Sequence, residues 1–529
     1  MKTKSLSFRL LISTGLVALL VAATLLIWKS HPLTRAQPIL PTTRPLAMVR
    51  PSQTSANSPT PTITETPRPT ETPIGTPTPD HSPTPGPSPT PSDTPTRTPT
   101  ATDTPIPTAT PTIVPRSQPI LVVTGVGELS EDMPTPATPI PTPVPTFEIP
   151  DETINILLLG SDAPLEEGEA RTDTMIIVSV DPSGPTASMV SLPRDLYVYI
   201  PGKTMNRLNT AMPAGGVELL EQAILYNFGI PVHYYARVDF SGFHAVVDAV
   251  GGIDINVSCR LQDWRLKSPE LDVNDVDNWE QFALEPGTHH MDGDLALWYA
   301  RSRLSSNDFY RSRRQQQLLR AMLNQGVDLG LVAQVPTLWN VLHENIETDL
   351  DIGRLLQLVA LAPGIRENGV QHLYLVRGTE EWFVPSTGAN VLLPIWEGYG
   401  AMEETFRRLF RPPALNRATH TPISVEILNG TGNPDMAVLA ADNLAWYGFV
   451  PAIGEPLPQV QETTQLRYFA SNFKASYNWL ISWIVGLRKS DVELVSEVSD
   501  YPYNYQLILG ANYNPCLDQL YAPQAFLDP

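Results

Sequence analysis

The sequence predicts an α/β protein, with a mixed three-layer domain over residues 151–412 and a smaller α/β domain over 421–513. Three observations predict it. From Ile154 onward, short apolar runs alternate with amphipathic stretches at helical spacing, the pattern of strands covered by helices. More than half of the chain's 55 prolines crowd into residues 29–150, where no core can form. Before them stands a single apolar run long enough to span a bilayer.

In chain order, residues 1–9 are a cytoplasmic tail. Leu10–Trp28 reads LLISTGLVALLVAATLLIW, which is uncharged and close to the roughly 20 residues a transmembrane helix needs. Lys2, Lys4 and Arg9 precede it, so the positive-inside rule puts the rest of the chain outside the cell membrane. A cleaved signal peptide is the competing reading. The run is long for that, and no small-x-small site follows directly. Residues 29–150 form a Pro/Thr/Ser-rich disordered linker, a spacer extending about 3.1 Å per residue in polyproline II. Only PILVVTGVGEL (119–129) within it is apolar enough for a short docking strand.

INILLLGSD then reads as a buried strand ending at a loop, and TMIIVSVDPSGPTASMVSLPRD as two strands joined by a Pro/Gly turn at 181–185. GGVELLEQAILYNFG is a helix stopped by Gly229. YYARVDF is a strand, SGFHAVVDAVGG a helix capped by Ser241, and IDINVS a strand. MDGDLALWYARSR, FYRSRRQQQLLRAMLNQG, DIGRLLQLVAL and MEETFRRLF supply further helices. A second linker covers 413–420. ISVEILNGTG, the helix MAVLAADNLAWYGF, the apolar YNWLISWIVGL and the strand YQLILGANY build the smaller domain, with 514–529 as a tail.

The formal net charge of −20 excludes a general nucleic-acid binder, which needs a basic face, and leaves room for a local anion site. Cys259 and Cys516 are too few for a disulfide framework or a zinc cluster. Outside the cell, a bridge between them and two free thiols are both open, because spacing does not show proximity.

Only 35 residues are Lys or Arg, yet Arg301, Arg303, Arg311, Arg313 and Arg314 fall within RSRLSSNDFYRSRRQQQ. With Asp308 as the helix N-cap, Arg311, Arg314, Gln315, Leu318 and Met322 share one helical face. Two guanidiniums followed by apolar side chains suit a ligand with a charged head and a greasy tail. Arg313, Gln317 and Arg320 point elsewhere and read as solvated. An isolated charge run of this kind is usually an ordinary surface helix. A second set shifts the balance: Asp162, Arg171, Asp173, Arg194 and Asp195 all sit where strands begin or run out, the usual place for α/β sites. Arginine forks match phosphate oxygens, and aspartates hold a Mg²⁺ (or Mn²⁺) that bridges them, so the pattern points to a polyphosphate–metal site.

The ordered blocks NILLLGSD, RTDTMIIVSVDP, SLPRDLYV, RLNTAMPAGG, HYYARVDFSGFHAVVDAVGGIDINV, MDGDLALWYARSR and DFYRSRRQQQLL resemble the LytR-CpsA-Psr (LCP) family of envelope proteins over residues 153–412. The trailing unit resembles the LytR-type C-terminal domain often attached to it. The resemblance implies an extracytoplasmic, Mg²⁺-dependent phosphotransferase. It would move a glycopolymer from a polyprenyl-pyrophosphate carrier to a peptidoglycan hydroxyl, with the lipid entering tail-first between apolar helices such as those at Val217 to Tyr226 and Leu318 to Leu323. It implies Asp162 and Asp173 near the metal, and Arg171, Arg194, Arg301, Arg303, Arg311 and Arg314 on the diphosphate, with Gln315 and Asn209 beside them. Asp173, Arg194, Arg301 and Arg311 carry the chemistry in this reading. One departure stands out: the family's Asp-x-Gly-Arg is DFYR here, with Tyr310 in the glycine place. A prenyl-pyrophosphate hydrolase and a non-catalytic lipid-carrier or wall-binding protein are the alternatives. An older association with transcriptional attenuation conflicts with the outward topology. The expected partners are the lipid-linked glycan, peptidoglycan and the membrane, with no nucleic acid.

Overall fold

The computed structural model describes residues 141–517, except 163, 166–170, 269, 331–338, 340–342, 344, 385–387, 399, 414, 416–419, 470–476 and 497–500. The expected cytoplasmic tail, membrane helix, 119–129 strand, most of the linker and residues 518–529 lie outside the described residues. Among the described residues, no helix is long and apolar enough to cross a membrane.

The chain begins with β1 (Ile154–Ser161), β2 (Thr172–Asp181), β3 (Thr186–Ser191), β4 (Tyr197–Tyr199), β5 (Met205–Arg207) and α1 (Ala211–Phe228). Next come β6 (Tyr234–Val238), α2 (Phe240–Ala249), β7 (Ile253–Val257), β8 (Leu261–Leu266), β9 (Trp279–Leu284) and β10 (Gly287–Met291). Helices α3 (Gly293–Arg301) and α4 (Asp308–Asp328) precede β11 (Glu347–Thr348), α5 (Ile352–Asn368) and β12 (Val370–Tyr374). A hairpin of β13 (Thr379–Val384) and β14 (Ala389–Pro394) and the helix α6 (Met402–Leu409) complete this part.

Six strands form the central mixed sheet in the order β11-β6-β1-β2-β3-β12. β1 pairs antiparallel with β2 and parallel with β6. Strand periodicity sends alternate residues to opposite faces. Leu157, Leu159, Met175 and Ile177 face one side and pack with Leu220, Ile224 and Phe228 of α1 and Phe406 of α6. Ile156, Leu158, Val178 and Val180 face the other side, against α4 and α5 through Leu323, Leu358 and Ile365. The result is the helix–sheet–helix layering expected from the sequence.

Four local details differ from that expectation. α2 is capped by Asp239, whose carboxylate accepts from Gly242 N, and not by Ser241. Asn307 caps α4 by accepting from Phe309 N and Tyr310 N, so Asp308 is its first helical residue. α1 is kinked at Gly215 and Gly216, and Gly229 ends it at φ 67 as expected. Residues 141–150, counted as linker from composition, lie against the core. Val144 N donates to Tyr226 O at 2.9 Å, Phe147 N donates to Gly229 O at 3.0 Å, and the Phe147 ring meets Phe406 and Phe410.

The C-terminal unit contains β15 (Ser424–Asn429), α7 (Asp435–Trp446), β16 (Val450–Ile453), β17 (Gln465–Phe469), α8 (Asn478–Val485), β18 (Val492–Val495) and β19 (Tyr505–Leu509). Its sheet has the order β16-β15-β19-β17-β18. It buries its own core, with Val425, Ile427, Leu444, Phe449, Leu480 and Leu507 fully enclosed. Cys259 and Cys516 are bridged, so the tail of this unit is tied covalently to the loop between β7 and β8.

A second link joins the two parts: His372 of β12 stacks on Trp446 of α7 with ring centroids 3.5 Å apart. Burial pushes the His372 pKa well below its ordinary value, and the charges of Arg320 and Arg313 push it the same way. The unfolded chain therefore takes up this proton first. The contribution to stability is complete above the unfolded value of about 6.5 and is lost as pH falls toward the folded pKa. Thermal unfolding is expected to show a midpoint that drops on acidification below that point. His372→Phe, which keeps the stack, is expected to flatten the slope.

Candidate active site

On the α4 side of the sheet, a cavity of about 750 Å³ opens between β-strands and helices. Its floor is one pleat face: Leu158 and Gly160 of β1, Ile176 and Thr174 of β2, and Ala236 and Val238 of β6, which stand in register. A Cβ at Gly160 would stand 3.0 Å from Thr174 Cβ, so glycine keeps the floor open there. α2 supplies Phe240, Phe243 and Val246 to the walls, α3 supplies Leu297 and Trp298, and α4 supplies Leu318, Leu319 and Met322. The β8–β9 hairpin closes the side with Trp264, Leu266 and Trp279. The volume lies within the ordinary range of about 300–1,000 Å³ for ligand pockets.

Polar groups collect at the end where β1 leaves the sheet and β2 enters it. Asp162, Asp173, Arg301, Arg303, Arg311 and Gln315 all line the cavity there. Arg301 ends α3, with its guanidinium carbon 4.2 Å above the Phe240 ring. Among the described residues, no carboxylate lies within ion-pair distance of it. Arg301 as a whole is exposed, and the walls around part of its side chain lower its pKa; Asp173 and Asp162 oppose the shift from a distance, and Arg303 reinforces it. Arginine still stays charged. Arg303 Nε pairs with Asp308 at 3.2 Å, and its backbone N–H donates to Asp263 at 2.6 Å. Arg311 is 7% exposed and lies 3.8 Å from Asp308, and its Nε is buried without a hydrogen-bond partner among the described residues. Gln315 Nε2 donates to Thr174 Oγ1 at 2.9 Å, which ties α4 to the floor.

A small cleft adjoins this end and shares Asp173, Thr174, Arg311 and Gln315 with the cavity. Arg194 lies in it. It donates to Asp173 at 2.7 Å and to Asp195 at 3.3 Å, and Asp195 also accepts from Arg207 at 3.1 Å. Burial alone would lower the Arg194 pKa, but its bond to Asp173 and the nearby Asp195 more than reverse this, and the net shift is upward. The arrangement is an apolar pocket with a cluster of arginines and aspartates at one end, in which Arg301 alone of Arg194, Arg301, Arg303 and Arg311 has no carboxylate within ion-pair distance among the described residues.

Residues 131–390 match the family model LytR_cpsA_psr. This part of the chain belongs to the LytR-CpsA-Psr family. A protein of Oceanobacillus iheyensis named polyisoprenyl-teichoic acid–peptidoglycan teichoic acid transferase TagU is 33% identical over 226 residues, covering 41% of this chain and 65% of that protein. The regulatory protein MsrR of Staphylococcus aureus is 33% identical over 219 residues, covering 41% of this chain and 62% of that one. The chain thus spans somewhat less than two thirds of the length of either relative. The crystal structure of Bacillus subtilis TagV is 25% identical, covers 49% of this chain and 97% of that one, and has a TM-score of 0.41.

The LytR-CpsA-Psr site residues expected from the sequence divide into three groups. Asp162, Asp173, Arg301, Arg303, Arg311 and Gln315 share the cavity end, with Arg194 in the adjoining cleft. Arg314 does not line the cavity. It is buried, and its guanidinium donates to the carbonyls of Tyr299 and Ser302 and to Ser306 Oγ, so it braces the α3–α4 loop. Burial lowers its pKa, against Tyr299, Asp263 and Asp308. Asn209 is buried behind the site, where its backbone N–H donates to Arg194 O at 3.2 Å, which positions the Arg194 loop. Arg171 is exposed ahead of β2, outside the cavity lining.

Two expectations are corrected. Val217 to Tyr226, read as an apolar wall for the lipid, lies in α1 on the opposite face of the sheet. Arg313, Gln317 and Arg320 are not solvated: Arg313 and Gln317 are buried, and Arg320 pairs with Asp442. Tyr310, in the family's glycine place, is an ordinary residue of the first turn of α4, and among the described residues Glu152 is the one non-glycine residue with positive φ. The wall residues of α2 and the β8–β9 hairpin were not singled out from the sequence. LQDWRL and WEQFAL lack the clean period-2 alternation that marks a half-buried strand.

Asp162 and Asp173 are the carboxylates available for a divalent cation at this end. No group of three or more His, Cys, Asp or Glu side chains suited to a metal occurs among the described residues. Two carboxylates fit Mg²⁺ in a site that phosphate oxygens and water complete.

Proposed function

We propose that the chain is a membrane-anchored, extracytoplasmic phosphotransferase that moves a glycopolymer from a polyprenyl-pyrophosphate carrier to a peptidoglycan hydroxyl. The observation that carries this reading is the pairing of a 750 Å³ apolar cavity with Arg301, Arg303 and Arg311 at one end. A prenyl chain fits the apolar walls, and a diphosphate answers the clustered guanidiniums, above all Arg301, which has no ion-pair partner among the described residues. Family membership and the name of the TagU relative support the same chemistry. Leu10–Trp28 would anchor the chain in the cell membrane.

In this mechanism the prenyl tail lies along Phe243, Leu297, Leu318 and Met322, and the diphosphate reaches Arg301, Arg303 and Arg311. Arg194 and Gln315 hold the glycan-side phosphate from the adjoining cleft. Asp162 and Asp173 would hold Mg²⁺, which supplies charge neutralisation on the diphosphate. A sugar hydroxyl attacks the glycan-side phosphorus and forms the new P–O bond. The bond to the bridging oxygen breaks, and its electron pair leaves with prenyl monophosphate. The hydroxyl proton passes to a carboxylate, either Asp173 or Asp195. The arginines stabilise charge as it moves onto the leaving phosphate.

The test uses the full chain in detergent with a prenyl-pyrophosphate oligosaccharide, Mg²⁺ and a peptidoglycan fragment. Mass spectrometry is expected to show prenyl monophosphate together with a glycan–phosphate–peptidoglycan adduct. Prenyl monophosphate with free glycan phosphate would make the protein a hydrolase. Lipid binding without turnover would make it a carrier-binding module.

A further inference from the structure

α4 has two working faces. Arg311, Gln315, Leu318 and Met322 line the cavity. Arg313, Gln316, Gln317 and Arg320 recur at i, i+3, i+4 and i+7 on a different face. That second face is held by β12, by α3 and by the C-terminal unit. Trp446, the last residue of α7, meets the guanidinium carbons of both Arg313 and Arg320 at 4.6 Å from its ring centroid. His372 stacks on the same ring at an interplanar angle of 12°. Asp442, four residues before Trp446, pairs with Arg320. Gln316 reaches His372 Nδ1 at 3.0 Å and donates to Ser191 Oγ at 2.9 Å, while Gln317 accepts from Tyr299 OH at 2.9 Å.

We propose that Trp446 is a positioning residue for the transfer reaction: through Arg313 and Arg320 it fixes the rotation and register of α4, and so the placement of Arg311 and Gln315. The proposal rests on the transferase reading above. The C-terminal unit has a core of its own and a disulfide tether, so its attachment does not require this contact. The contact is nonetheless made to a guanidinium two residues from Arg311, on the same helical turn. Contacts between a cation and a ring face are directional and strengthen when both partners are buried, as Arg313 and Trp446 are. A buried arginine alone would lose charge stability. Burial opposes the Arg313 charge, Asp442 favours it, and an arginine stays protonated in proteins. The interface therefore holds a permanent charge at a fixed place on α4. Site groups work only within about 0.5 Å of their productive positions, so a helix free to shift would weaken the grip on the diphosphate.

The experiment compares full-length variants in detergent, under the assay above. Trp446→Ala is expected to lower kcat by about 10- to 100-fold while the lipid KM changes less than about threefold, the scale of a misplaced catalytic group. Trp446→Phe, which keeps a ring face, is expected to recover most of the loss. In an Arg311→Ala/Gln315→Ala background, adding Trp446→Ala is expected to change kcat less than about twofold, because the groups it positions are gone. Losses that multiply in the triple variant would overturn the proposal. Should Trp446→Ala not fold, Asp442→Asn keeps the ring and breaks the ion pair. It is expected to speed hydrogen exchange over residues 311–320 and to lower kcat by about threefold or more. Unchanged exchange and unchanged kcat in Asp442→Asn and Trp446→Phe, with Trp446→Ala either unfolded or as active as wild type, would also overturn it. A wild-type chain that releases no prenyl monophosphate would instead sink the transferase reading, and the exchange measurement would still report whether Trp446 holds α4.

Discussion

Arg301→Ala is expected to cut the rate of prenyl monophosphate release by about 10²–10³ while leaving the fold intact, since a donor aimed at developing charge is worth that much. Each of the other arginines at the site has a carboxylate close by: Arg194 has Asp173 and Asp195, Arg303 has Asp308, and Arg311 lies 3.8 Å from Asp308. Arg301 has the Phe240 ring beneath it and only distant help from Asp173 and Asp162, and desolvation lowers its pKa. A phosphate would supply what the protein withholds, and most of all in the transition state, when charge passes to the leaving group. Lysine is a poor substitute, because its point charge lacks the bidentate fork that matches phosphate oxygens. Arg301→Lys is therefore expected to recover less than about a tenth of the lost rate. Arg303→Ala should cost less than Arg301→Ala, because much of the Arg303 charge is already spent on Asp308. Rates within threefold of wild type for Arg301→Ala would show that another group carries the diphosphate.

The parts of the site that were legible in the sequence share one property: the information is local. Strand alternation in INILLLGSD and RTDTMIIV already sorts Leu158, Gly160 and Ile176 onto one face, and the structure puts that face under the cavity. Helical spacing likewise groups Arg311, Gln315, Leu318 and Met322. Spacing does not say how a long side chain bends. Arg314 lies at the border of that face, and its guanidinium turns back to the carbonyls between α3 and α4. The roles of Arg313 and Arg320 were not legible, because their partners lie in another unit; Asp442 is 122 residues beyond Arg320. The β8–β9 hairpin is not announced in the sequence, because a long polar connection replaces the short turn that usually marks a hairpin. Pairing of Cys259 with Cys516, at a separation of 257 residues, likewise needed the tertiary structure.

The two site aspartates are expected to fail in different ways, and the difference tests whether they act as one cation site. Asp162 is exposed where β1 runs out, and among the described residues no arginine pairs with it. Its work in the proposed mechanism is limited to the cation. Asp162→Asn is expected to raise the Mg²⁺ concentration needed for half-maximal rate by about 10-fold, the scale of losing one supporting oxygen ligand, with most of the rate returning at saturation. Asp173 has a second task. Its carboxylate accepts from Arg194 at 2.7 Å, which orients the guanidinium toward the cleft that adjoins the cavity. Asp173→Asn removes a cation ligand, releases Arg194 to Asp195 alone, and removes a candidate general base. Its kcat is expected to fall by about 10²–10⁴ without recovery at any Mg²⁺ concentration, the range seen when a positioned proton acceptor is lost. Binding of Mn²⁺ to each variant, followed by paramagnetic resonance in the presence of prenyl diphosphate, separates the roles without relying on turnover. Both variants should bind Mn²⁺ more weakly than wild type. If Asp162→Asn binds it as tightly as wild type, the cation does not sit between these two strands. If Asp173→Asn recovers at high Mg²⁺, its bond to Arg194 and its proton-accepting role are both dispensable, and Asp195 becomes the remaining base in the cleft.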